Sequence, residues 1–106
     1  MKIITPIPGI PDADVQKLLT VFEHDARISK VILYGSRAKG NYRAGSDIDL
    51  TVIGKNLSAS VLMDIAMKID DLLLPYKVDL SILSQIDNAD LIDNIERVGK
   101  VVFSCE

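Results

Sequence analysis

The chain is poor in the residues that build covalently stapled or zinc-stapled folds. Its 106 residues include one cysteine, Cys105, one histidine, His24, and no tryptophan. A lone cysteine excludes an internal disulfide and points to a reducing compartment. Without a Cys/His cluster there is no ligand set for structural or catalytic zinc. No apolar run approaches the ~20 residues that cross a bilayer. The opening Met1-Lys2-Ile3-Ile4-Thr5-Pro6 is too short for the apolar core of a secretory leader. These absences describe a cytoplasmic protein that does not use a membrane. Charge of one sign is also missing. A net charge of −3 and a pI near 5.0 exclude direct nucleic-acid binding by bulk positive charge. They leave room for a nucleotide, which a metal ion can attach to acidic residues.

What is present is an ordinary globular composition, 48% hydrophobic and 25% charged. A chain of this length forms one domain, residues 1–106, and buries roughly 60–68% of its unfolded surface. Pro6, Pro8 and Pro11 with Gly9 mark an irregular lead-in. Asp12 is placed to cap a helix whose inner stripe is Val15, Leu18, Leu19 and Phe22. Lys30 to Tyr34 reads as a buried strand. Ser36 to Gly45 is basic and glycine-rich, a loop with room for one helical turn. Asp47 to Ile53 is a second strand. Ser58 begins a helix carrying Leu62, Ile65, Ala66, Ile69, Leu72 and Leu73 on one face, stopped by Pro75.

Val78 to Leu83 is a third strand. Asp87 or Asn88 caps a last helix with Leu91, Ile92, Ile95 and Val98, ended by Gly99. Val101-Val102-Phe103 forms a short edge strand, with Cys105 in the tail. The order predicts an α/β fold, a small mixed β-sheet with helices packed on it. The strand–helix–strand unit from Asp47 to Leu83 predicts a parallel, right-handed crossover. That places Asp79 beside Asp47 and Asp49.

The chemistry lies between Gly35 and Asp79. An apolar strand ends in Gly35-Ser36, a turn whose small residues let backbone N–H groups approach a phosphate. Asp47 and Asp49 stand two apart, so both carboxylates project from one face. Asp79 lies within a third apolar strand, where an unpaired charge costs several kcal/mol. In-line attack on a phosphoryl group is helped by two metal ions ≈ 3.5–4 Å apart. Three carboxylates are a natural minimum for holding such a Mg²⁺ pair, since Mg²⁺ takes oxygen ligands and keeps waters and phosphates.

Competing motifs fail on particular residues. Gly35 and Gly40 have P-loop spacing, but Asn41-Tyr42 follow where Lys-Ser/Thr is needed. An EF-hand from Asp47 needs glycine at Val52 and glutamate at Ser58. No Gly-x-Gly-x-x-Gly follows a strand. Arg37, Lys39 and Arg43 form a basic cluster suited to β/γ-phosphates or pyrophosphate, with Arg37 and Arg43 preferred. Tyr34 reads as core, Tyr42 as a residue able to stack on a base, and His24 as surface.

Gly35-Ser36-Arg37-Ala38-Lys39-Gly40, Ser46-Asp47-Ile48-Asp49-Leu50, Val78-Asp79-Leu80 and the closing Ile95–Val102 segment together resemble the minimal nucleotidyltransferases of the DNA polymerase β-like superfamily. The resemblance implies the polymerase β-like nucleotidyltransferase fold. It implies that Gly35 and Ser36 hold the triphosphate. By the same resemblance Asp47 and Asp49 ligate two Mg²⁺ ions, and Asp79 ligates the catalytic one and helps deprotonate the attacking hydroxyl. ATP is the implied substrate.

Little chain follows Asp79, leaving scant room for an acceptor site. The resemblance therefore implies an antitoxin that moves AMP onto a tyrosine of a separate all-helical HEPN-type toxin. Two alternatives stand beside it. One is an antitoxin that only masks its partner, and the other is an enzyme acting on a small molecule such as an aminoglycoside.

Overall fold

Among the described residues, alternating apolar residues in β-rich segments, joined by amphipathic helices, produce five strands and four helices. The strands are β1 (Lys2–Ile4), β2 (Ile28–Tyr34), β3 (Ile48–Gly54), β4 (Val78–Ile82) and β5 (Lys100–Cys105). The helices are α1 (Asp12–Glu23), α2 (Ser36–Lys39), α3 (Ala59–Asp70) and α4 (Ala89–Val98), with a 3₁₀ turn at Leu83–Gln85. They are seen in a computed structural model that describes residues 2–105. One mixed sheet runs β1-β5-β2-β3-β4, and among the described residues only the β3–β4 pair is parallel.

Strand alternation divides the sheet into two unlike faces. On one, Val31 and Leu33 of β2 stand opposite Val52 and Leu50 of β3, all fully buried. Val15, Leu18, Leu19 and Phe22 of α1 and Ile65 and Ile69 of α3 complete that core. Each such side chain contributes about 1.5–3 kcal/mol by leaving water. The other face carries Ile32 and Tyr34 opposite Thr51 and Asp49, then Asp79 and Ser81 on β4. α4 covers part of it. Its Ile95 is buried outside the main core cluster, and the chain leaving α4 at Gly99 approaches Ile32.

Several boundaries differ from the expectations, each for a physical reason. Pro11, not Asp12, occupies the cap of α1, and its carbonyl accepts from Asp14 and Val15 N–H. Proline suits this place because no N–H is needed there. β2 starts at Ile28, whose buried side chain extends the strand across a bulge. β4 ends at Ile82, where the 3₁₀ turn begins. α3 is capped by Ser58, whose Oγ accepts from Val61 N–H, but ends at Asp70, well before Pro75. Leu73 takes a left-handed φ of 54°, which a continuing helix does not allow.

Asn88, not Asp87, caps α4, its Oδ1 accepting from Asp90 and Leu91 N–H. The lead-in around Pro6 to Pro11 is irregular as expected, yet β1 precedes it at the sheet edge. β5 is the larger correction. It runs six residues between β1 and β2, not as a short edge strand, and Cys105 is its exposed last residue, not a free tail.

Candidate active site

Asp49 lies in β3 and Asp79 directly opposite it in β4, the two in parallel register. Asp47 stands just before β3, so its position depends on the loop from Asn41 rather than on the ladder. Ile48 N–H donates to the Lys77 carbonyl at 2.8 Å, starting the pairing at that point. One carboxylate oxygen from each of the three aspartates lies within 4.8 Å of the others. None of the three is buried outright.

Electrostatics record the crowding. Burial pushes the Asp49 carboxyl up from its ordinary range, and the neighbouring charges of Asp79 and Asp47 push it further, against a smaller opposing pull from Lys77. Such a cluster favours an added cation. The donor set, all carboxylate oxygens, suits a hard divalent ion such as Mg²⁺.

Beside the acids, β2 ends in Tyr34 and turns through Gly35 into α2. Gly35 adopts φ 76° and ψ −155°, a region open to glycine alone. A Cβ at Gly35 would collide with Asp49 Oδ2. The turn is therefore in van der Waals contact with a candidate metal ligand. Ser36 opens α2 at this junction.

Residues 16–106 match the family described as polymerase beta, nucleotidyltransferase. A Methanocaldococcus jannaschii protein described as a candidate protein adenylyltransferase is 36% identical over 88 residues, covering 76% of this chain and 84% of its own. The chain belongs to the polymerase β nucleotidyltransferase family. Solved structures agree on the fold. A toxin–antitoxin structure with AMP-PNP superposes with a TM-score of 0.68 at 23% identity, over 92% of this chain and 76% of the other. A Shewanella oneidensis complex of a tri-AMPylated HEPN toxin with an MNT antitoxin gives 0.65 at 20% identity, over 89% and 72%.

In this nucleotidyltransferase the structure brings together Asp47, Asp49, Asp79 and Gly35, with Ser36 next in the turn. It gives Arg37 a different setting. Expected on phosphate, Arg37 is only 2% exposed, with Nη1 donating to the Pro8 carbonyl at 3.0 Å and Nη2 to the Ser46 carbonyl at 2.9 Å. Tyr42, expected to be free to stack on a base, lies against the Arg37 guanidinium, with Tyr76 nearby; the ring centroids are 5.1 and 5.9 Å from Cζ. Arg43 is exposed, and its backbone N–H and carbonyl close a turn with Ser46. Lys39 is exposed at the end of α2, and His24 is exposed as expected.

Tyr34, expected in the core, lies on the acidic face instead. It is half-buried opposite Asp49, and burial, with the Asp49 and Asp79 charges, pushes its hydroxyl up. The alternation of β2 carries the signal, because Val31 and Leu33 inward put Tyr34 on the acidic face.

Proposed function

We propose that this chain transfers AMP from ATP to a tyrosine hydroxyl of a separate, helical HEPN-type protein in the cytoplasm, as the antitoxin of a toxin–antitoxin pair. The convergence of Asp47, Asp49 and Asp79 beside the Gly35 turn carries the reading. A relative described as a candidate protein adenylyltransferase and a fold neighbour solved in complex with a tri-AMPylated HEPN toxin support a protein acceptor.

In this reading Asp47 and Asp49 hold two Mg²⁺ ions, and Asp79 shares one of them. When bound, the ions supply Lewis-acid polarisation of the triphosphate and offset the charge of the leaving pyrophosphate. Backbone at Gly35 and the Ser36 hydroxyl orient the β/γ-phosphates, with Arg43 at the loop for the same anion. Asp79 accepts the proton of the tyrosine hydroxyl. The phenolic oxygen bonds to the α-phosphorus, the α–β bridging P–O bond breaks, and pyrophosphate leaves. Placement of the hydroxyl in line can lower the barrier by ≈ 7–11 kcal/mol, and the partner provides that placement.

The test combines the protein, Mg·ATP and a helical HEPN-type protein from the same genome. Mass spectrometry is expected to find AMP on a partner tyrosine, with pyrophosphate released and the partner silenced. Asp47→Asn is expected to leave the partner unmodified and active. A variant that silences the partner as fully as the parent would show masking instead.

A further inference from the structure

Among the described residues Arg37 is a buried cation without an acidic partner. Among the described residues no carboxylate lies within ion-pair distance of it, and its Nε is buried with no hydrogen-bond partner. Burying a charge costs several kcal/mol, and an apolar side chain often fills such a space as well or better. Filling space therefore does not account for a guanidinium. Its directional bonds do.

Nη1 holds the lead-in at Pro8 and Nη2 holds the carbonyl of Ser46, the residue directly before Asp47. Tyr42 and Tyr76 flank the guanidinium, and the Tyr76 hydroxyl donates to Asp14 at 3.2 Å on α1. Arg37 itself rides on α2, one residue after Ser36. It spans from the Gly35–Ser36 turn to the loop that presents Asp47. Asp49 and Asp79 are fixed by the strand ladder, whereas Asp47 lies outside it. Among the described residues this loop is also held by Asn41 N–H donating to the Ser36 carbonyl, by the small turn between Arg43 and Ser46, and by Ile48 N–H on the Lys77 carbonyl just after Asp47.

Resting on the metal-site reading above, we infer that Arg37 is a positioning residue. It sets the distance between the Gly35–Ser36 turn and the Asp47 carboxylate, and touches neither metal nor nucleotide. Groups that hold a metal ligand in place are commonly worth 10–100-fold in metal affinity.

Titration with Mn²⁺ alone, followed by the EPR signal of the free ion, reads this without activity. Arg37→Met is expected to bind Mn²⁺ on the order of ten-fold more weakly. Arg37→Lys, which keeps the charge but loses the fork, is expected to recover only part of that loss, and carries the test if the Met variant fails to fold. Phe22→Leu, a core change in α1, serves as the stability control and is expected to bind Mn²⁺ like the parent. Parental affinity in Arg37→Met, full recovery in Arg37→Lys, or equal weakening in Phe22→Leu overturns the inference alone. A parent that binds no Mn²⁺ at millimolar concentration overturns the metal site and the inference together.

Discussion

Asp49 and Asp79 face each other across the parallel pairing of β3 and β4, the point at which the fold forces two carboxylates together. Because side chains alternate along a strand, this register also places Tyr34 and Ser81 on that face and turns Leu50 and Leu80 to the core side. A one-residue slip would bury the acids and expose the leucines. Packing of Leu50 under α1 and α3 thus specifies the acidic site. The hydrophobic core and the candidate chemistry are two faces of one register.

Metal and nucleotide are expected to stabilise the fold. Ligand that binds only the folded state adds RT ln(1 + [L]/Kd), about 2.7 kcal/mol at a hundred times Kd. For a domain of this size that raises Tm by about 10 °C or more. Thermal melts with Mg²⁺, ATP, both and neither are expected to show the largest shift with both, reversed by a chelator. A Tm indifferent to all of them would remove the metal reading.

Asp49→Asn separates the cost of crowding from its use. The folded state holds the Asp49 carboxyl above its ordinary value, through burial and then Asp79 and Asp47. Folding therefore favours the protonated form. Its contribution to stability is fully present below the unfolded value, ~3.9, and is lost as pH rises through the higher folded value. The neutral Asn lacks that loss. In metal-free buffer the variant is expected to melt above the parent at pH 7, with the difference closing as pH falls through that window. Transfer activity and the Mg²⁺-dependent Tm gain are expected to be mostly lost. Unfolding of the variant would make Asp49 structural.

The three acids and the Gly-Ser turn were legible because their information is local. Period-two alternation and a small-residue turn are visible in a few residues, and the parallel β3–β4 pair follows from one crossover helix. What escaped depends on distant parts of the chain. β5 reads as a short apolar run, and nothing in Lys100–Cys105 says that β1 will cover its outer edge. Three residues followed by prolines carry too little pattern to announce β1. Arg37 looks like a phosphate ligand because its neighbours are basic and glycine-rich. Its burial is decided by carbonyls at Pro8 and Ser46 and a ring at Tyr76, which only the folded chain assembles.

Gly35→Ala tests whether the turn and the metal ligands form one unit. The backbone there is in a glycine-only region, so alanine is strained by about 1–3 kcal/mol whatever surrounds it. Its methyl would also meet Asp49 Oδ2, which must move, because the backbones of Tyr34, next to Gly35, and of Asp49 are paired in the β2–β3 ladder. Strain alone would lower Tm and leave the remaining folded protein active. Displacement of Asp49 would remove activity from protein that is still folded. Below its melting transition, Gly35→Ala is therefore expected to lose most AMP transfer and most Mg²⁺-dependent stabilisation. Gly45→Ala is the comparison, since Gly45 also has a positive φ of 84° but open space where its Cβ would lie. It is expected to lose stability with transfer largely kept. Equal loss of transfer in both variants would mean that turn strain, not contact with Asp49, accounts for the need for glycine at position 35.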